Sequence, residues 1–208
     1  MLSKLLLTLA AIGAACALPQ QAIAADNDDA VVLVAAPALR DPDYRQAVVV
    51  AVPIEGNRHL GVIVNRPTRR TLSSLFPEHE PSKKVVEPVY FGGPMSRGAV
   101  VAVVKSEKDP GRGSISLTKE MFLAMTVNIV DKVIEETPNN ARYYVGYIVW
   151  RPGELRMEID RKLWHVVNAD ADIVFRKDTN GLWEEMMRLA RAVTARAGQL
   201  DRFVPAIH

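Results

Sequence analysis

Two groups of side chains in this 208-residue sequence have the types and spacing to do chemistry. Arg66, Arg69 and Arg70 follow Asn65 directly after an apolar run. Guanidinium forks match the oxygens of carboxylates and phosphates, so Asn65 and Arg66 form a candidate anion site. Arg69 and Arg70 also fit plain solvated surface charge, the usual fate of such runs. Glu154 and Glu158 stand four positions apart and would share one helical face, either as a carboxylate pair for acid–base work or with Glu158 in an ordinary pair with Lys162. The latter is worth only about 0.2–0.5 kcal/mol. His59, His79, His165 and His208 lack the spacing of metal ligands, and no cofactor is expected.

The familiar catalytic signatures are missing: no G-x-S-x-G elbow, phosphate-binding P-loop or H-E-x-x-H helix occurs. Gly111-Arg112-Gly113-Ser114 does not extend into a nucleotide-binding glycine pattern and reads as a turn. Trp150, Trp164 and Trp183 cluster in the last third of the chain, where they are expected to pack in or around the core with their indole donors on carbonyls.

Those groups need elements to position them, and the first segment of the chain changes which elements count. Lys4, the apolar run from Leu5 to Ala17 and the small residues Ala22-Ile23-Ala24 have the layout of a cleavable export signal, cut after Ala24. The apolar run is short of the roughly 20 residues of a bilayer span, so no stable membrane span is expected. Lipidation at Cys16 is the alternative processing, although the bulky aliphatic residue expected three positions earlier is absent. Cleavage removes the one cysteine and Lys4, leaving 25 basic against 24 acidic residues. A net charge of +1 carries no bias toward nucleic acid. Periplasmic or secreted location follows, with residues 1–24 as signal, 25–30 as spacer, 31–198 as one domain and 199–208 as a tail.

With 49% hydrophobic and 24% charged residues, the chain is of ordinary globular composition and can bury a core. Val31 to Val34, Ala47 to Val52, Leu60 to Val64, Val89 to Phe91, Ala99 to Val104 and Tyr143 to Trp150 read as strands, being β-branched and apolar. The first strands alternate little, which predicts cover on both faces. Asn65-Arg66-Pro67 and Gly92-Gly93-Pro94 end strands, because proline lacks the ladder donor and glycine permits close approach. Thr71 to Phe76 predicts one or two helical turns, and Glu78 to Lys84 a polar loop. A helix capped by Thr118 is expected to carry Met121, Phe122, Met125, Ile129, Val130, Val133 and Ile134 on its apolar face and to end near Pro138. Pro152 opens another helix. The last, capped by Asn180 and stopped by Gly198, should bury Leu182, Met186, Leu189 and Val193. The sum is one α+β domain with a largely antiparallel sheet.

An ordered series of short motifs adds to this reading: Pro37-x-Leu39-x-Asp41-Pro42, Gly61-Val62-Ile63-Val64-Asn65-Arg66-Pro67, Tyr90-Phe91-Gly92-Gly93-Pro94 and Gly146-Tyr147-x-x-Trp150-x-Pro152-Gly153-Glu154-Leu155. With Glu158-Ile159, Trp164, Asp170 and Trp183, the chain resembles the YqgE/AlgH family of bacterial proteins from about Val31 to Val193. The resemblance implies an α+β fold in which a bifurcated sheet, partly closed into a small barrel, is surrounded by helices. About function it implies little beyond the transcriptional association carried by the AlgH name.

If the two strand ends meet, Asn65, Arg66, Gly92 and Gly93 build one side of a groove, with Tyr90 or Trp150 as its aromatic floor and Glu154 at its edge. The leading expectation is an exported, non-catalytic binding or regulatory domain that takes a small anionic ligand or a protein partner, with no direct contact to nucleic acid. A hydrolase-like enzyme using Asn65 and Arg66 is the first alternative, and a transcription-linked regulator retained in the cytosol the second. Alternatively, the Gly-Pro elements merely turn corners in a tightly curved sheet.

Overall fold

A computed structural model describes residues 30–203. The expected signal at 1–24, Cys16 and most of the 25–30 spacer lie outside the described residues. Ten strands form one sheet: β1 (Val31–Ala35), β2 (Val48–Ile54), β3 (Arg58–Ile63), β4 (Pro67–Thr71), β5 (Pro88–Phe91), β6 (Met95–Lys105), β7 (Ser114–Thr118), β8 (Met121–Ala124), β9 (Ala141–Trp150) and β10 (Trp164–Asn168). Five α-helices join them: α1 (Leu72–Leu75), α2 (Val127–Glu136), α3 (Glu154–Asp160), α4 (Ala171–Val174) and α5 (Leu182–Phe203). A 3-10 helix spans Glu80–Lys84.

The strand order is β10-β1-β2-β3-β9-β6-β8-β7, and it branches at β9. Along one side β9 pairs antiparallel with β6, including Val101 opposite Tyr144. Its other side is shared: Gly61 of β3 stands opposite Ile148, while Tyr90 and Phe91 of β5 run parallel to Tyr144 and Val145. The chain at Gly92 threads this fork. Gly92 donates its N–H to the Val145 carbonyl at 2.9 Å and accepts from Ile63 N at 2.9 Å. A side chain has no room there, since a Cβ on Gly92 would sit 2.2 Å from the Gly146 carbonyl oxygen. Gly146 answers with φ of 71°, the left-handed region that glycine enters without steric cost, and its own Cβ would meet the Gly93 oxygen at 2.3 Å. The two glycine motifs of the sequence are one backbone crossing.

Alternation along β1 explains why the first strands show no polar face. Val32 and Val34 join one core with Val48, Val50, Val62, Ile173, Leu182, Met186 and Met187, under α4 and α5. Leu33 and Ala35 point to the opposite core with Val49, Ile63, Trp150, Leu155 and Trp164, under α3 and the loop bearing Leu39 and Tyr44. A third core packs α2, through Ile129, Val130, Val133 and Ile134, against Ala102, Val104 and Tyr143.

Several expectations are corrected. The sheet is bifurcated and largely antiparallel, as the resemblance implied, but it is not closed into a barrel. The helix expected from Thr118 begins at Val127 with Thr126 as its cap residue. Met121–Ala124 is instead a strand, buried at all four positions between β6 and β7, an ambiguity that short apolar runs carry in any sequence. In α5, Leu182 and Met186 are buried but Leu189 and Val193 are 45% and 49% exposed, because Met187 and Ala190 complete the contact face. That helix also runs past Gly198 to Phe203. The polar loop at Glu78 to Lys84 contains the 3-10 helix, and β4, β7, β10 and α4 went unpredicted.

Candidate functional site

Asn65 and Arg66 lie on the corner between β3 and β4, and both reach across to the loop joining β1 and β2. Asn65 Oδ1 accepts from Val48 N at 2.9 Å and its Nδ2 donates to the Gln46 carbonyl at 2.9 Å. That clamp holds Gln46 at φ of 56°, a conformation non-glycine residues rarely adopt. Arg66 donates Nη1 to the Asp43 carbonyl at 2.6 Å and Nη2 to the Arg45 carbonyl at 2.8 Å. Burial pulls the Arg66 guanidinium below its ordinary value, opposed by Asp43 and Asp41. It stays charged at physiological pH, and its two bonds are to neutral carbonyls.

The same corner meets the glycine crossing, since Phe91 N donates to the Arg66 carbonyl at 2.8 Å. The Phe91 ring lies between two cations, with Arg97 Cζ 5.4 Å and Arg66 Cζ 6.0 Å from its centroid. Arg97 also pairs with Asp43 at 3.1 Å, so the loop is fastened through its backbone by Arg66 and through its carboxylate by Arg97.

On the other side of this corner, Asn65 and Arg66 line an open cleft of about 480 Å³ with Pro42, Arg45, Gln46 and the start of α5. Leu182 N bonds Thr179 O and Glu185 N bonds Gly181 O. The N–H groups of Trp183 and Glu184, both in the cleft lining, are therefore first-turn donors with no backbone acceptor among the described residues. Arg45 is exposed, and Glu184 is the one acidic residue in the lining.

The other expected site residues do not line this cleft. Gly92 and Gly93 are buried in the crossing beside it. Tyr90 is 2% exposed and lies under Arg142, whose guanidinium carbon is 4.4 Å from the ring centroid. Trp150 is buried on the α3 side, with Gly61 opening room for its ring. Glu154 accepts from Arg151 N at 2.8 Å. Glu158 does not form the expected pair with Lys162: its Oε2 accepts the indole N–H of Trp150 at 2.9 Å and of Trp164 at 2.7 Å. Of the three tryptophans, only Trp183 bonds a carbonyl, that of Ala35 at 2.8 Å. The nearby Tyr44 phenol is pushed up to about 12 by burial first, then by the carboxylates of Asp41, Glu158, Asp43 and Glu154.

Sequence reasoning missed Arg142, which is fully buried in β9. It pairs with Glu87 at 2.9 Å and donates to the carbonyls of Val174 at 2.6 Å and Arg176 at 3.0 Å, tying β9 to the segment after α4. The only signal was a charge inside an otherwise apolar strand. Among the described residues, no three His, Cys, Asp or Glu side chains gather as metal ligands, and no helix is long and apolar enough to cross a membrane.

A forked, mainly antiparallel sheet with helices on its faces, crossed at paired glycines, defines an α+β class with solved representatives. The AlgH protein of Pseudomonas aeruginosa aligns with a TM-score of 0.60 at 21% identity, over 86% of this chain and 95% of that one. Protein DIP2367 of Corynebacterium diphtheriae aligns with a TM-score of 0.64 at 23% identity, over 78% and 87%. In sequence, a UPF0301 protein of Ruegeria pomeroyi is 31% identical over 165 residues, covering 76% of this chain and 88% of the relative. One from Thermobifida fusca is 30% identical over 167 residues, covering 75% and 83%. A family model described as AlgH-like matches residues 32–194, and the chain belongs to that family, which is uncharacterised.

Proposed function

We propose that the protein is an exported, non-catalytic binding domain whose ligand is a small polar anion held in the cleft between the β1–β2 loop and α5. The observation that carries this reading is the convergence of Arg45 and Arg66 on one concave, polar surface. Arg66 is bonded only to carbonyls, so its charge has no carboxylate directly against it. Arg45 is exposed and free to swing onto an incoming oxyanion. The first-turn N–H groups of Trp183 and Glu184 add donors of the right polarity. Asn65 positions the cleft by clamping Gln46 and Val48 rather than by touching the ligand. The non-catalytic part of the reading is supported by the commitments of Glu154 and Glu158, which accept hydrogen bonds elsewhere and do not line the cleft. The leader-like residues 1–24 support export.

Titration of the mature chain with inorganic phosphate, read at the amides of Arg45, Gly181 and Trp183, tests the site. Saturable shifts, weakened about tenfold by Arg45→Ala, are expected for loss of one charge-assisted contact of about 1.5 kcal/mol. Shifts that grow linearly without saturating, or an Arg45→Ala chain that binds like wild type, would remove the assignment. Mass spectrometry of the periplasmic fraction tests export. A chain starting at Ala25 is expected, and a full-length chain confined to the cytosol would overturn it.

A further inference from the structure

A second concave surface lies away from that cleft, where the β2–β3 hairpin meets α3. The hairpin turns through Glu55, Gly56 and Asn57, with Gly56 and Asn57 at φ of 76° and 55°. Beyond the turn, β3 opens with Arg58 and His59, and His59 stands opposite Trp150 of β9. Chain reversal at Arg151-Pro152-Gly153 then brings Gly153 and Arg156 of α3 back beside the hairpin. Pro53, Ile54, Arg58, His59 and Arg156 line the resulting cleft of about 670 Å³, with Glu55 its one acidic residue against the two arginines.

Arg58 uses Nε on the Glu55 carbonyl at 3.1 Å, and Arg156 uses Nε on both carboxylate oxygens of Asp160, at 3.1 and 3.2 Å, in an exposed i,i+4 ion pair. Their terminal Nη groups have no partner among the described residues, and a guanidinium edge of that kind matches a carboxylate. His59 lines the same cleft with its ring, while its Nδ1 is shut from solvent without a hydrogen-bond partner among the described residues. Burial lowers the pKa of His59, so the ring is neutral at neutral pH. Pro53 and Ile54 supply an apolar wall that the strongly polar cleft near Arg45 lacks.

We infer that this cleft binds a small organic carboxylate with a short hydrocarbon stem, its oxygens on the Nη edges of Arg58 and Arg156 and its stem against Ile54, Pro53 and the His59 ring. The site is independent of the anion cleft proposed above. No residue lines both.

Butyrate titrated into the mature chain, with the His59 imidazole followed by nitrogen–proton correlation spectra, is the test. Saturable movement of the His59 signals is expected at millimolar butyrate. Arg58→Gln/Arg156→Gln, both exposed positions, should weaken it at least tenfold while Tm stays within a degree or two of wild type. A second variant, His59→Gln, followed at the backbone amides of Arg58 and Arg156, should retain binding through the arginines with a several-fold loss. Linear, unsaturable movement would overturn the inference. So would a double variant that binds like wild type, or inorganic phosphate competing as tightly as butyrate, which would strip the apolar wall of its role. Phosphate binding at Arg45 is read at different amides, so failure at one cleft leaves the other result standing.

Discussion

Trp164 donates its indole N–H to Glu158 Oε2 at 2.7 Å, and the same oxygen takes Trp150 at 2.9 Å. The two indoles meet edge to face with centroids 6.3 Å apart. One carboxylate thus satisfies the two large aromatic groups that join α3 and β10 to the center of the sheet.

Removing that acceptor leaves two indole donors without a partner. Glu158→Ala is expected to destabilise by about 2–6 kcal/mol, given roughly 1–3 kcal/mol for each of the two indole donors left unsatisfied. Glu158→Gln keeps an amide oxygen for the same donors and should cost about 1 kcal/mol or less. Urea unfolding followed by tryptophan fluorescence separates the two. Equal losses would show that charge, and not acceptance, is what the indoles use.

Tyr44 gives the alkaline counterpart. Its folded-state value near 12 lies above the ordinary 10, so the unfolded chain releases this proton first. Stability from this group is complete below pH 10 and falls as pH rises from there through about 12. Since Tyr90, Tyr143 and Tyr144 are raised by burial as well, the Tyr44 step is read as the difference in phenolate absorbance between wild type and Tyr44→Phe, expected near pH 12. Glu158→Gln should move that step downward, since one of the nearby negative charges is gone.

Gly92 and Gly98 should respond very differently to alanine. Gly92→Ala puts a methyl 2.2 Å from a carbonyl oxygen in the fork and is expected to cost about 3 kcal/mol or more, the upper range for overpacking. Gly98→Ala meets nothing within 4 Å and should change stability by no more than about 0.5 kcal/mol. Thermal unfolding of the pair decides it, and similar Tm values would refute the crossing as a constraint.

Helix α5 makes a third contrast. Met186→Ala empties a site that is 3% exposed and should cost about 2–5 kcal/mol, whereas Leu189→Ala, at 45% exposed, should cost well under about 1.5 kcal/mol. Denaturant midpoints at matched slope provide the comparison. A large loss at Leu189 would mean that its exposed face is covered in solution.

The fold was legible where local chemistry and tertiary role agree. Valine-rich β1 and β2, and β9 from Tyr143 to Trp150, read as strands because no charge interrupts them. β4 did not, because Pro67-Thr68-Arg69-Arg70-Thr71 is polar and exposed and pairs irregularly with β5. Met121–Ala124 was misread because four apolar residues satisfy a helical stripe as well as a buried strand. At the site, the strand-ending residues raised the meeting of Asn65-Arg66 with Gly92-Gly93 only as a condition; Phe91 N does bond the Arg66 carbonyl, but the glycines stay in the buried crossing and do not line the cleft. The inward turn of Glu158 was not anticipated, because it depends on partners eight positions before and six after, brought together only by the reversal through α3.

The strand that every branch of the sheet shares is made of residues 141–150, so roughly two-thirds of the polypeptide leaves the ribosome before the earlier strands acquire their common neighbor. Until then β3 has only β2, β5 only β4 and β6 only β8 as neighbors, and the non-local pairing that joins these branches is intrinsically slow. The three branches of the sheet therefore become one body only after the last third of the chain has begun to emerge.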